Sequence, residues 1–302
     1  MRTLRPAVLG AALAALLWIA HRPAYKGYFS DDDLDNLVMT RQVTPAIFAR
    51  EFVKPVVAAE NFRPTGHLVY KVMGALAGLR FPAYVALLHL LHGVNIVLVW
   101  LLLKRMGAPP SGLWAGTLIF AFHMAAFDAL WKPMYVFDLL CGTFTLLTLL
   151  LYLSGRWMWA LVPFWLGYKS KELIVVLPVL MLAWEYLAGG RRWRRVIPVA
   201  AVSALFTVQA LAANAGKNDD YTLRFTLDAL ERTLPFYGSA MLLIPYAGLA
   251  LPLLALVREA RVRWGLLFLF LMPAPLWFLP ARLFSVYLYV PLIGLAVAMA
   301  FL

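Results

Sequence analysis

The sequence predicts an all-α integral membrane protein of about ten transmembrane helices, and three observations predict it. Of its 302 residues 63% are hydrophobic and 14% charged, a balance that a water-soluble domain of this length cannot keep off its surface. Its apolar stretches run continuously for about 15 to 20 residues, the span of a bilayer-crossing helix, and do not alternate as barrel strands do. Its basic residues cluster between alternate stretches, as the positive-inside rule requires. A formal net charge of +12 would point to nucleic acid in a soluble chain. Here it marks the cytoplasmic side, and no nucleic-acid partner is expected.

Taken in order, Arg2 and Arg5 precede an apolar run at 6–20. Trp18, Ile19 and Ala20 make a poor small-x-small cleavage site, so this run is expected to stay as an uncleaved signal anchor and first helix. An outer loop follows at 21–80. Within it, charge alternates with Leu34, Leu37, Val38, Ile47, Phe48, Phe52 and Val53, a pattern that suits interfacial amphipathic helices at 31–49 and 50–59, interrupted at Pro45 and Pro55. Further membrane helices are expected at 82–103, 111–127, 135–153, 156–167, 171–187 and 196–214. A second outer loop at 215–233 separates these from 234–257, 264–279 and 284–302. Residues 1–302 read as a single domain with no soluble C-terminal domain.

With the N-terminus inside, the cytoplasmic connections carry Lys104, Arg105, Arg156, Arg191, Arg192, Arg194, Arg195, Arg258, Arg261 and Arg263, with Glu259 as their acid. Acids gather instead on the outer side: Asp31, Asp32, Asp33, Asp35, Glu51, Glu60, Asp128, Asp219, Asp220, Asp228 and Glu231, with Asp138 and Glu172 at helix ends facing that way. In a bacterium this places the chain in the inner membrane with the acids toward the periplasm. Cys141 has no partner for a disulfide and reads as a small buried hydrophobe.

Several positions can carry chemistry. Asp31, Asp32, Asp33 and Asp35 crowd four carboxylates into five residues. Crowding raises the pKa of one member toward that of a general base, although acids are equally welcome at a solvated helix N-terminus. Asp128 ends an apolar helix, where a carboxylate either serves function or pairs with Lys132 or His123. In Tyr168-Lys169-Ser170-Lys171-Glu172 the ammonium groups can hold a departing phosphate or snorkel to lipid headgroups. Arg63 and Arg282 present the same choice. His89 and His92 stand at i and i+3, a spacing that suits a metal pair, but a core hydrogen bond is the commoner use. No P-loop, dinucleotide fingerprint or nucleophile elbow is present.

These segments resemble the GT-C superfamily of membrane glycosyltransferases, most closely its protein O-mannosyltransferase-like and TPR-linked O-mannosyltransferase branch. Phe29-Ser30-Asp31-Asp32 with Asn36 is similar to that family's first-loop acidic motif, Phe62-Arg63-Pro64 to its Arg-Pro element and Leu91-His92 to its Leu-His. Phe122-His123, Asp128-Ala129-Leu130-Trp131 and Asp138-Leu139-Leu140 resemble its His-Pro, Glu-Ala-Val-Trp and Asp-Leu-Leu run. Ser170-Lys171-Glu172 with Pro178 and Tyr287-Leu288-Tyr289-Val290-Pro291 complete the order. Asp128 stands where Glu is usual, Met124 replaces a Pro, and Val286 takes the place of an Arg, with Arg282 one helical turn earlier.

The resemblance implies a GT-C-like fold and an inverting transfer of sugar from a polyprenyl-phosphate donor to a hydroxyl of a protein, lipid or glycan acceptor at the outer face. It implies Asp31 as general base with Asp32 as its alternate, and Asp128 orienting acceptor or base. Lys171, Arg63 and Arg282 would neutralise the departing phosphate, Glu172 would hold Lys171, and His92, His123 and Asp138 would support the site. No metal is implied, although gathered acids are compatible with Mg²⁺ or Mn²⁺. The rival readings are a transporter or flippase, or a non-catalytic envelope assembly protein. A transporter should show repeat symmetry and ionisable residues near the midplane, and the sequence shows neither. In a scaffold the first-loop acids would be dispensable.

Overall fold

The computed structural model describes residues 6–55, 62–214 and 219–302. Arg2, Arg5 and Glu60 lie outside the described residues. No strand occurs among the described residues. Helix α1 (Pro6–His21) leads through a 3₁₀ turn to α2 (Asp31–Gln42) and α3 (Pro45–Val53), then α4 (Pro64–Ala77). Prolines open α3 and α4 at positions where their missing N–H costs nothing. The first loop is therefore helical as expected, but it contains α4 as well, a 14-residue helix in a stretch where the sequence suggests no helix.

Helix α5 (Phe81–Met106) has 26 residues, or about 39 Å at 1.5 Å per residue. Helices α6 (Pro110–Phe122), α7 (Phe127–Trp131) and α8 (Val136–Leu153) follow, then α9 (Leu161–Tyr168), α10 (Leu177–Leu187) and α11 (Ile197–Asn214). The chain ends in α12 (Leu227–Leu242), α13 (Ala260–Leu271) and α14 (Leu292–Ala300). Two continuous stretches, Phe81–Met106 and Pro133–Leu153, are long and apolar enough to cross a membrane. The number rises to four if each of two bent pairs is one span.

Both bends differ from the continuous helices expected at 111–127 and 234–257, and each has a local cause. Helix α6 stops at Phe122 because His123 turns extended and its Nδ1 accepts the N–H of Ala125, capping a 3₁₀ turn. Helix α12 ends where Leu243 and Tyr246 take left-handed φ values of 59° and 61° around Pro245, and a 3₁₀ segment, Ala247–Leu256, departs at 75°. The second outer loop is also shorter than expected, because Thr226 caps α12 at Leu227.

Packing follows membrane rules, in which small residues let backbones meet. Helix α14 lies between α6 and α13 and is buried along almost its whole length. A Cβ on Gly294 would stand 2.4 Å from the Gly265 carbonyl oxygen and 2.6 Å from the Leu269 nitrogen. Both neighbours are backbone, so no rotamer can relieve the clash. Gly294→Ala is expected to destabilise the protein by about 1 to 3 kcal/mol, seen as a lower midpoint in detergent thermal unfolding; an unchanged midpoint would show that α13 and α14 can part freely.

Helices α5 and α8 run side by side from one end of the bundle to the other. At one end Arg105 donates to the Leu153 carbonyl at 2.9 Å and Arg261 to the Met106 carbonyl at 3.1 Å, so basic connections converge there. Asp138, in the first turn of α8, lies at the opposite end, where α2 and α4 pack.

Candidate active site

A polar cavity of about 380 Å³ opens at that second end. Helix α2 supplies Asp32, Asp35 and Asn36, which share one face by their i, i+3, i+4 spacing. Asp31 does not line the cavity; it is exposed one position away on the helix. Asp33 points inward, almost fully buried. One of its oxygens accepts the Ser30 N–H at 2.9 Å and the Ser30 hydroxyl at 2.8 Å, and the other accepts the Tyr70 hydroxyl at 2.7 Å. Asp33 thus completes a capping box that fixes the start of α2, while among the described residues Asp32 and Asp35 form no ion pair.

Arg63 is the residue before Pro64 at the start of α4, and its guanidinium grips Glu172 through two bonds of 3.0 and 3.1 Å. Burial works against the Arg63 charge, yet Glu172, joined by Asp138 and Tyr221, more than offsets it and holds the guanidinium pKa above its ordinary value. His67, one turn further, accepts the Arg63 N–H on Nδ1 at 2.8 Å and donates from Nε2 to Asn36 at 3.0 Å. Burial pulls its imidazole down to about 4, so it stays neutral in the tautomer that ties α4 to α2.

The expected Glu172 to Lys171 pairing is not what forms. Lys171 is extended, with φ −159° and ψ 140°, so adjacent side chains project to opposite sides. Lys171 turns to the buried carboxylate of Asp138, with which it forms an ion pair, while Glu172 turns to Arg63. The Lys171 ammonium also sits 4.4 Å from the Tyr287 ring centroid. Thr65 and Ser170 share a 2.7 Å hydroxyl bond that docks this corner onto α4.

Arg282 enters from the other side. Its Nη2 donates to the Tyr221 hydroxyl at 2.7 Å, with the guanidinium 4.4 Å from that ring, and among the described residues its buried Nε has no hydrogen-bond partner. Among the described residues no carboxylate forms an ion pair with Arg282. Of the three cations on the cavity wall, its charge is the one left unmatched by direct contact.

A second cavity of about 250 Å³ adjoins the first and is almost wholly apolar, walled by Leu173, Val175, Phe206, Leu211 and Leu276 among others. Arg63, Lys171, Tyr221 and Tyr287 line both cavities and form the partition between them. A ligand with a charged group between a polar head and a greasy tail fits this arrangement.

The remaining expected residues sit elsewhere. Asp128 forms a 3.6 Å pair with Lys132 and does not line the cavity. His92 is buried, donating to the Ala121 carbonyl at 3.1 Å and accepting the Tyr289 hydroxyl at 2.9 Å. His123 donates to the Met241 carbonyl at 3.0 Å. His89 bonds Tyr25 and the Leu130 carbonyl, so the two histidines of α5 serve separate core contacts. Among the described residues no three His, Cys, Asp or Glu side chains gather as a metal group would need. Asp35, His67 and Tyr221 were missed as site residues. Helical spacing from Asp32 and Arg63 could have flagged the first two; nothing local marks Tyr221. No family model, curated protein or solved structure matches the chain.

Proposed function

We propose that the chain is a polytopic membrane glycosyltransferase of GT-C type that moves a sugar from a polyprenyl-phosphate donor to an acceptor hydroxyl, with inversion. The observation that carries this reading is the shared partition of Arg63, Lys171, Tyr221 and Tyr287 between an apolar groove and an acid-lined polar cavity. The polyprenyl tail occupies the groove, the phosphate lies against the partition, and the sugar projects into the cavity toward Asp32. The helices form about ten passes, with the basic connections cytoplasmic and the cavity outward.

Asp32 takes the proton of the acceptor hydroxyl as its oxygen attacks the anomeric carbon. The bond from that carbon to the phosphate oxygen breaks, and polyprenyl phosphate leaves with the electron pair. Arg282, whose charge is unmatched, meets the growing negative charge; Lys171 and Arg63 add donors from the partition. Asp138 and Glu172 hold those two side chains, and His67 with Asn36 sets the spacing between α2 and α4.

Supplying right-side-out vesicles with a polyprenyl-phosphate hexose should yield new glycans detectable by mass spectrometry when the protein is present. Donor left unconsumed would overturn the activity, and consumption in inverted vesicles alone would overturn the orientation. Arg282→Gln is expected to lower kcat/KM by about 10- to 100-fold, the worth of charge-assisted hydrogen bonds. Wild-type kinetics in that variant would remove Arg282 from the phosphate.

A further inference from the structure

At the end of the bundle opposite the cavity, most basic side chains with a visible partner are spent on capping helices. Arg105 holds the Leu153 carbonyl, Arg263 the Ala255 and Val257 carbonyls, and Arg261 the Met106 carbonyl together with Glu259. Lys104, Arg156 and Arg258 make no such side-chain bond among the described residues, and the turn after α10 gathers four more guanidinium groups. Arg191, Arg192, Arg194 and Arg195 fall within five residues, and among the described residues none of their guanidinium groups makes a hydrogen bond or ion pair; Arg194 lies 5.6 Å from the Trp193 ring.

Their backbone, by contrast, is pinned. Glu185, 6% exposed, accepts the Tyr152 hydroxyl at 2.6 Å on one oxygen and the Arg192 N–H at 2.5 Å on the other. Its carbonyl accepts the Arg191 N–H at 3.1 Å, and Arg191 is held at φ 48°. Gly190 is needed for this approach, since a Cβ there would lie 2.5 Å from the carboxylate. The Glu185 carboxylate is thus spent on the turn itself. Beside it a cavity of about 280 Å³ is lined by Glu185, Tyr186, Arg191 and Trp193. Tyr186 and Trp193 are 72% and 46% exposed, as aromatic anchors at a membrane surface are.

We infer that the 191–195 turn is a binding site for an anionic phospholipid headgroup on the face opposite the catalytic cavity. Charge complementarity selects an anion, and the exposed aromatic pair beside the cavity selects one carried on a lipid. This site stands independently of the glycosyltransferase reading.

The test uses the full chain purified in detergent, with phosphatidylglycerol, phosphatidylcholine and soluble glycerol phosphate titrated separately and bound lipid read by native mass spectrometry. Phosphatidylglycerol should bind selectively, and Arg191→Gln with Arg192→Gln together should weaken it about 25-fold, at about fivefold per surface arginine. Gly190→Ala keeps every charge but drives a Cβ to 2.5 Å from the Glu185 carboxylate, which unpins the turn, and should weaken phosphatidylglycerol about tenfold. Arg263→Gln, at the same end, should leave binding within about twofold, since that side chain caps backbone. Equal affinity for phosphatidylcholine, or full binding by the double variant, would overturn the site. Undiminished binding by Gly190→Ala would reduce it to diffuse surface charge, and equal binding of glycerol phosphate would replace the lipid with a soluble anion.

Discussion

Asp32→Asn is expected to lower sugar transfer by about 10²- to 10⁴-fold, the usual contribution of a positioned general base, while the protein still inserts and accumulates. The expectation rests on placement. Asp32 lines the same polar cavity as the partition, and it is free of the bonds that occupy Asp33. An amide at position 32 keeps shape and polarity but cannot take a proton from the acceptor. Asp31→Asn, one residue away and outside the cavity lining, should retain activity within about threefold, since surface substitutions away from a site cost little. The measurement is initial transfer rate in membranes supplied with a polyprenyl-phosphate hexose. Normal transfer by Asp32→Asn would remove the base assignment, and loss in Asp35→Asn alone would move it one helical turn along α2.

The choice between Asp31 and Asp32 shows what a linear reading could and could not reach. The acidic run offered a candidate base beside the reading of a solvated helix N-terminus, and its motif likeness put Asp31 first. Which carboxylate faces the cavity depends on the rotation of α2, and that rotation is set by Asp33. Its bonds to Ser30 and Tyr70 bury one side of the helix and so aim Asp32, Asp35 and Asn36 to the other. Tyr70 lies 37 residues away, so no local pattern could supply the answer. The corner at Lys171 and Glu172 was legible as a cluster of charge but not as two crossed ion pairs, because their partners, Asp138 and Arg63, come from α8 and the start of α4.

The helical character and the basic end of the bundle were plain from composition and spacing, which need no tertiary knowledge. The bends were not. Pro245 stood inside the continuous helix expected at 234–257, and the left-handed residues at Leu243 and Tyr246 that turn the chain by 75° carry no glycine signal. His123 read as a motif residue and proved to be a cap and an interhelix tie, and Asp128 read as a catalytic candidate and met the alternative stated for it, a pair with Lys132.

Lys171→Met is expected to be the most damaging single substitution for stability, and its pairing with Asp138→Asn separates folding from catalysis. Asp138 is 2% exposed at the first turn of α8, so removing the ammonium leaves a buried carboxylate without its bonded countercharge, at a cost of about 3 to 5 kcal/mol. That loss should appear as a fall in thermal midpoint and in the yield of monodisperse protein. Asn at 138 abolishes the buried charge, so Lys171→Met with Asp138→Asn should recover most of the midpoint, because replacing both members of a buried pair is far milder than breaking it. Transfer should stay low in the double variant, since the partition then lacks an ammonium beside Tyr287 to meet the leaving phosphate. Recovery of both stability and transfer would make the pair purely architectural, and recovery of neither would mean that Asp138 has a partner more important than Lys171.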